Sequence, residues 1–150
     1  MKEVFIIGIF LLLVSFNAKI DGVDFSKELP LSEGEHVLEF DVKLKQTIEI
    51  LLEGNPTTGY TWLISKNENS FSILKPLNLH SIGEDNLLTG KYVTNQKVDK
   101  NGYAIMGAGG KYSFKFEVES KGVQELEIYY SRLWENNSPY SKVKLIVKCQ

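Results

Sequence analysis

Lys111-Tyr112-Ser113-Phe114-Lys115-Phe116-Glu117-Val118-Glu119 is the stretch that decides the fold. Tyr112, Phe114, Phe116 and Val118 fall on every second position, and lysine, serine and glutamate fill the places between. Successive side chains of a strand point to opposite faces, so this pattern makes one apolar and one solvated face. The same period of two recurs in both directions along the chain. Upstream, His36, Leu38, Phe40 and Val42 alternate with Glu35, Val37, Glu39 and Asp41, and Ile48, Ile50 and Leu52 alternate with Thr47, Glu49, Leu51 and Glu53. Tyr60, Trp62 and Ile64 follow a Gly/Pro-rich turn. Downstream come Leu126, Ile128 and Tyr130, then Val143, Leu145 and Val147 among lysines. No segment carries a convincing helical stripe. Many short, half-polar strands predict an all-β, immunoglobulin-like sandwich or barrel built from antiparallel sheets with a wet side. Residues 67–101 are the least legible, with strands expected at Phe71–Leu74 and Leu87–Val93.

The N-terminus reads differently. Val4–Phe16 is an almost unbroken apolar run behind Lys2. As a helix it would rise only about 20 Å, short of a hydrocarbon core of about 30 Å. It fits a secretory signal peptide, residues 1–18, with cleavage expected between 16 and 24. The rest, 19–150, is then one domain of the secretory route, secreted or held in a lysosome-like compartment, without stable membrane insertion.

Composition removes several functions. With 17 Lys+Arg against 19 Asp+Glu the formal net charge is −2, which gives no general attraction to nucleic acid or anionic lipid. A single cysteine, Cys149, excludes an internal disulfide and any Cys-rich zinc site, and with only His36 and His80 besides no multi-histidine metal centre is expected. Cys149 is read as a tolerated surface thiol at the frayed end of the last strand, and His36 as a packed or strand-end histidine. No nucleophile–His–acid set can be assembled. Gly107–Lys111 lacks the glycine and hydroxyl positions of a phosphate loop and opens a strand, not a helix. The chain is read as a non-enzyme without cofactor.

Three loops hold more chemistry than turns need. In Asn55-Pro56-Thr57-Thr58-Gly59-Tyr60, proline fixes its own φ and extends the residue before it, while Gly59 allows positive φ. Thr57 and Thr58 can brace the loop by side chain–backbone hydrogen bonds. Gly107-Ala108-Gly109-Gly110 removes side chains ahead of the strongest strand, so another surface can come close. Ser131-Arg132-Leu133-Trp134-Glu135 presents an exposed arginine and tryptophan, residue types that carry binding energy at interfaces. Asn136-Asn137-Ser138 just beyond is the only glycosylation triplet, and Pro139 after it lowers its expected use.

Taken together the loops resemble those of the chagasin family of cysteine-protease inhibitors, over nearly the whole chain after the leader. That family is marked, in order, by Asn-Pro-Thr-Thr-Gly-Tyr/Phe, Gly-x-Gly-Gly and Arg-Pro-Trp/Phe. Asn55–Tyr60 matches the first throughout, Gly107–Gly110 the second, and Arg132 and Trp134 the ends of the third. Leu133 stands where the family has proline, a loss of stiffness on the order of 0.4–1 kcal/mol. The resemblance implies an immunoglobulin-like fold whose loops gather at one end as a wedge. Such a wedge fills the cleft of papain-like, cathepsin-type peptidases, with Asn55–Tyr60 at the catalytic Cys/His pair and the other loops on either side. It implies a reversible, non-covalent, competitive inhibitor, acting as a monomer. The rival reading is a secreted immunoglobulin-like ligand- or carbohydrate-binding module without inhibitory activity.

Overall fold

The alternating segments form eleven strands in the computed structural model, which describes residues 22–67, 69–94, 100–103, 109–134 and 138–150. Residues 1–21, which carry the leader expectation, and the glycosylation residues Asn136 and Asn137 lie outside that set. In chain order the strands are β1 (Phe25–Leu29), β2 (Gly34–Val42), β3 (Thr47–Gly54), β4 (Tyr60–Ser65), β5 (Leu74–Pro76), β6 (His80–Ile82), β7 (Glu84–Thr89), β8 (Lys91–Thr94), β9 (Gly110–Val118), β10 (Gly122–Arg132) and β11 (Ser141–Cys149). They make two sheets. One runs β1-β3-β9-β5, with β8 also on β9, and the other runs β2-β11-β10-β4-β7-β6. The sheets stay open at their edges, so of the two expected forms the sandwich is the one adopted.

The core lies between the sheets, where the expected apolar faces meet. Ile48, Ile50 and Leu52 of β3 stand opposite Phe116, Phe114 and Tyr112 of β9. From the other sheet come Leu126 and Ile128, paired with Leu145 and Val143, together with Val147 and Ile64. Nearly all of these are completely buried. At about 25 cal/mol per Å² of apolar surface, each such side chain contributes on the order of 1.5–3 kcal/mol. The outward positions carry charge pairs such as Lys142–Glu127 at 3.1 Å and Lys144–Glu125 at 3.2 Å.

Five features depart from the sequence reading. The sheets are mixed and not wholly antiparallel, since β1 runs parallel to β3 and β2 parallel to β11. The strand expected at Phe71–Leu74 begins only at Leu74. Before it, the N–H groups of Ser72, Ile73 and Leu74 all converge on the Gln124 side-chain oxygen at 3.1, 2.9 and 3.1 Å, a geometry no ladder allows. The strand expected at Leu87–Val93 is broken at Gly90, and its halves join different sheets. A Cβ on Gly90 would lie 2.3 Å from the Ser113 carbonyl oxygen, so only glycine fits the crossing. Two short edge strands, β1 and β6, carry too little alternation to be read. Cys149 is a core residue, not a surface thiol: it is 4% exposed, inside β11, opposite Val42 and Gly122. Its position on the inward phase with Val143, Leu145 and Val147 buries it.

Candidate functional site: three loops at one end of the sandwich

Strand register gathers the loops. Gly54, the last residue of β3, pairs with Gly110, the first of β9, so Asn55 leaves the sheet beside the incoming glycine loop. Tyr60, the first residue of β4, pairs with Arg132, the last of β10. The Asn55–Tyr60 loop is therefore flanked by the other two without any long reach. Gly109 and Gly110 are placed in this way, while Gly107 and Ala108 lie outside the described residues.

The Asn55–Tyr60 loop is a built object. Pro56–Thr58 form a single 3₁₀ turn, with Asn55 extended at φ −139° and Gly59 left-handed at φ 85°. The Asn55 side-chain oxygen accepts from the Thr57 N–H at 3.1 Å and the Thr57 hydroxyl at 2.6 Å. The Thr58 hydroxyl donates to the Asn55 carbonyl at 2.7 Å. From below, the Tyr130 hydroxyl accepts from the Asn55 N–H at 3.0 Å. The expected bracing by threonines is present, but Asn55 is its hub, with one amide oxygen capping the turn. Pro56, Thr57 and Thr58 point to solvent.

Arg132, read from the sequence as a binding residue, is also engaged within the protein. Its Nε donates to the Thr58 carbonyl at 3.2 Å, and its guanidinium lies 4.5 Å from the Tyr60 ring centroid. Tyr60 in turn stacks on Tyr130 at 5.3 Å, and Trp62 packs on Tyr130 at 5.0 Å. Arg132 thus clamps the third loop to the first over an aromatic base. Trp134 completes the clamp from outside. It is 69% exposed, yet its ring edge sits where a Gly59 Cβ would be, 2.6 Å from that position. Leu133 is 43% exposed and turns toward Gly83 in the β6–β7 turn.

The glycines of the second loop are required by the protein's own packing. A Cβ on Gly110 would lie 2.3 Å from the Val93 carbonyl and 2.8 Å from the Tyr92 ring, and one on Gly109 would lie 3.2 Å from the Gly54 carbonyl. This adds an internal demand to the close approach of a partner expected from glycine density.

Beside the loops opens a pocket of about 580 Å³, walled by Pro56, Gly59 and Leu133 and floored by Tyr92 and Tyr112. Burial pushes both phenols above their ordinary range, and for Tyr112 a Thr61 hydrogen bond partly offsets this. The floor is therefore uncharged at neutral pH. Sequence reading missed this pocket because β6 and β8, which complete it, lie in the stretch without clear alternation. Among the described residues, no three His, Cys, Asp or Glu side chains come together to hold a metal.

Residues 41–148 match the family described as chagasin family peptidase inhibitor I42. This chain belongs to the chagasin family. It is accordingly a peptidase inhibitor and not an enzyme. A protein named Amoebiasin-1, from Entamoeba histolytica, is 29% identical over 110 residues, 73% of this chain and 88% of that protein. The solution structure of Amebosin superposes with a TM-score of 0.54 at 26% identity, covering 84% of this chain and 97% of the other. The crystal structure of the cysteine protease inhibitor EhICP2 from Entamoeba histolytica gives a TM-score of 0.52 at 16% identity, over 84% and 96%, and shares the fold.

Proposed function

We propose that this chagasin-family chain is a reversible, non-covalent, competitive inhibitor of papain-like cysteine peptidases. Asn55–Tyr60 enters the cleft at the catalytic cysteine, and Gly107–Gly110 and Arg132–Trp134 lie on either side. The observation that carries this reading is the clamped projection: an exposed turn, Pro56–Thr58, held by Asn55, Arg132 and Tyr130 before any partner arrives. Ordering a loop in advance removes an entropy cost from binding, which favours affinity. The turn also resists processing, because proteases engage extended backbone and Pro56–Thr58 is coiled. The loop contains no cysteine to form a disulfide and no reactive electrophile, so nothing in it traps the catalytic cysteine covalently.

Residues 19–150 make up the inhibitor domain, which acts as a monomer with one peptidase per chain. Val4–Phe16 directs it to the secretory route, where lysosome-like compartments hold peptidases of this class. Trp134 is the main flanking anchor. Its replacement by alanine weakens binding by about 2 kcal/mol, roughly thirtyfold, mostly through faster dissociation.

Titration against papain and cathepsins with a fluorogenic substrate tests the reading. Competitive, one-to-one inhibition is expected, with the inhibitor recovered intact. A peptidase whose catalytic cysteine is replaced by alanine should still bind, while an alkylated cysteine should hinder binding against Thr57 or Thr58. A covalent adduct in the mass spectrum, or inhibition that fades as the loop is cut, refutes it.

A further inference from the structure

The pocket beside the loops has a composition that the wedge does not explain. Its polar lining is largely committed to the fold. Asn78 Nδ2 donates to the Ser113 carbonyl at 3.1 Å, while its oxygen accepts from the Lys115 N–H at 2.8 Å. The Thr89 hydroxyl donates to the Trp62 carbonyl at 2.8 Å, and Thr61 bonds Tyr112. Beside the phenols of Tyr60 and Tyr92, two lining side chains remain, His80 on β6 and Lys91 at the start of β8, both exposed at the rim. Neither has an ion pair or side-chain hydrogen bond among the described residues. Among the described side chains, no aspartate or glutamate lines the pocket.

An uncharged aromatic floor with a lysine and a histidine at the rim suits a carboxylate on a short apolar stem. The position of the pocket names the source. Pro56, Gly59 and Leu133 form its near wall and belong to the loops proposed to enter the cleft, so whatever the loops engage also faces the pocket. Leu133 sets that wall and faces the Gly83 turn, where an added Cβ would meet its side chain at 3.8 Å.

We propose that this pocket is a fourth contact of the inhibitor, receiving an acidic side chain from the rim of the peptidase cleft, with Lys91 as its ion-pair partner and His80 as a second donor. The inference rests on the cleft-binding reading above and goes beyond it by adding a specificity element. It makes the inhibitor choose among papain-like peptidases by rim charge, since rim charges act on partner choice and association more than on total affinity.

Inhibition constants for papain, cathepsin B and cathepsin L are to be measured with the wild type, Lys91→Glu, Lys91→Gln and a His80→Ala/Lys91→Gln double variant. Lys121→Glu, in the β9–β10 turn at the far end of the sandwich, controls for net charge. For at least one peptidase, Lys91→Glu should raise the constant tenfold or more and flatten its salt dependence, with Lys121→Glu within twofold of the wild type. The melting temperatures should stay level, because Lys91 is exposed. If every Lys91 and His80 variant stays within twofold for all three peptidases while Trp134→Ala still weakens inhibition, the pocket assignment is wrong and the cleft reading stands. If the wild type inhibits none, the cleft reading falls and this inference with it. Sodium citrate that raises the melting temperature of the wild type but not of Lys91→Glu, with inhibition unaltered, makes the pocket a small-anion site and also overturns the proposal.

Discussion

Gly59→Ala separates the backbone of the loop from the contact that seats Trp134. Gly59 has φ +85°, a left-handed conformation that costs a residue with a Cβ roughly 1–2 kcal/mol. Alanine restricts the unfolded chain more than glycine does, which returns about 0.4–1 kcal/mol. The backbone effect alone is thus a loss of about 1 kcal/mol of folding stability. The contact effect is separate. The new Cβ would stand 2.6 Å from the Trp134 ring and 3.1 Å from its next carbon, closer than Cβ atoms approach, so the indole must move. Because Trp134 is 69% exposed, moving it changes the folding free energy little. It does displace the proposed anchor, and the inhibition constant should rise roughly thirtyfold, about 2 kcal/mol. Urea denaturation reads the first quantity and inhibition of papain the second. A double-mutant cycle with Trp134→Ala isolates the coupling. The two substitutions should be strongly non-additive, the double variant inhibiting about as well as Trp134→Ala alone. Additive losses, or a Gly59→Ala protein that inhibits like the wild type, would refute the coupling of the first and third loops.

Other expectations follow from separate parts of the molecule. Gln124→Leu leaves the buried N–H groups of Ile73 and Leu74 without an acceptor and should cost about 3 kcal/mol or more by chemical denaturation; a loss under about 1 kcal/mol would mean that water or a shifted chain replaces the amide. The Tyr129 hydroxyl and, more weakly, Lys142 hold the Glu127 carboxylate below its ordinary range. A carboxylate lowered by folding contributes stability above its unfolded pKa and loses it as pH falls through the folded value, so the wild type should lose more thermal stability than Glu127→Gln on acidification below about pH 4.5; parallel melting curves would count against the network. Protein purified from its native host should begin between residues 16 and 24 by mass spectrometry, and a soluble cytosolic form with Met1 intact would end the secretory reading.

The inward phase of six strands, the position of the sharp turns and the chemistry of the loops were all present in the sequence. A two-residue period is a local property, fixed by which side of a strand each side chain leaves, and the Lys111–Val118 alternation survives folding in β9, with Ser113 buried on the polar phase. The stiffness of Asn55–Tyr60 is local as well, since Pro56, Gly59 and the threonines act within the loop. Even Cys149 was legible: counting twos forward from Val143 through Val147 puts it inward, and only its closeness to the chain end suggested otherwise.

What the tertiary structure decided are the contacts between residues far apart in the chain. Gly90 is glycine because the Ser113 carbonyl passes there, and residues 70–74 are irregular because Gln124, 50 or more positions away, gathers their amides. Arg132 clamps Thr58 across a separation of 74 residues, so a side chain that looks like a surface anchor in sequence becomes part of the support of another loop. The pocket and its Lys91–His80 rim arise in the same way, from two short strands that the neighbouring sheets hold in place and that have little pattern of their own. Periodicity records which face a residue takes, because that depends on the next residue but one; which partner it meets on that face depends on the register of strands distant in sequence, and only folding sets that.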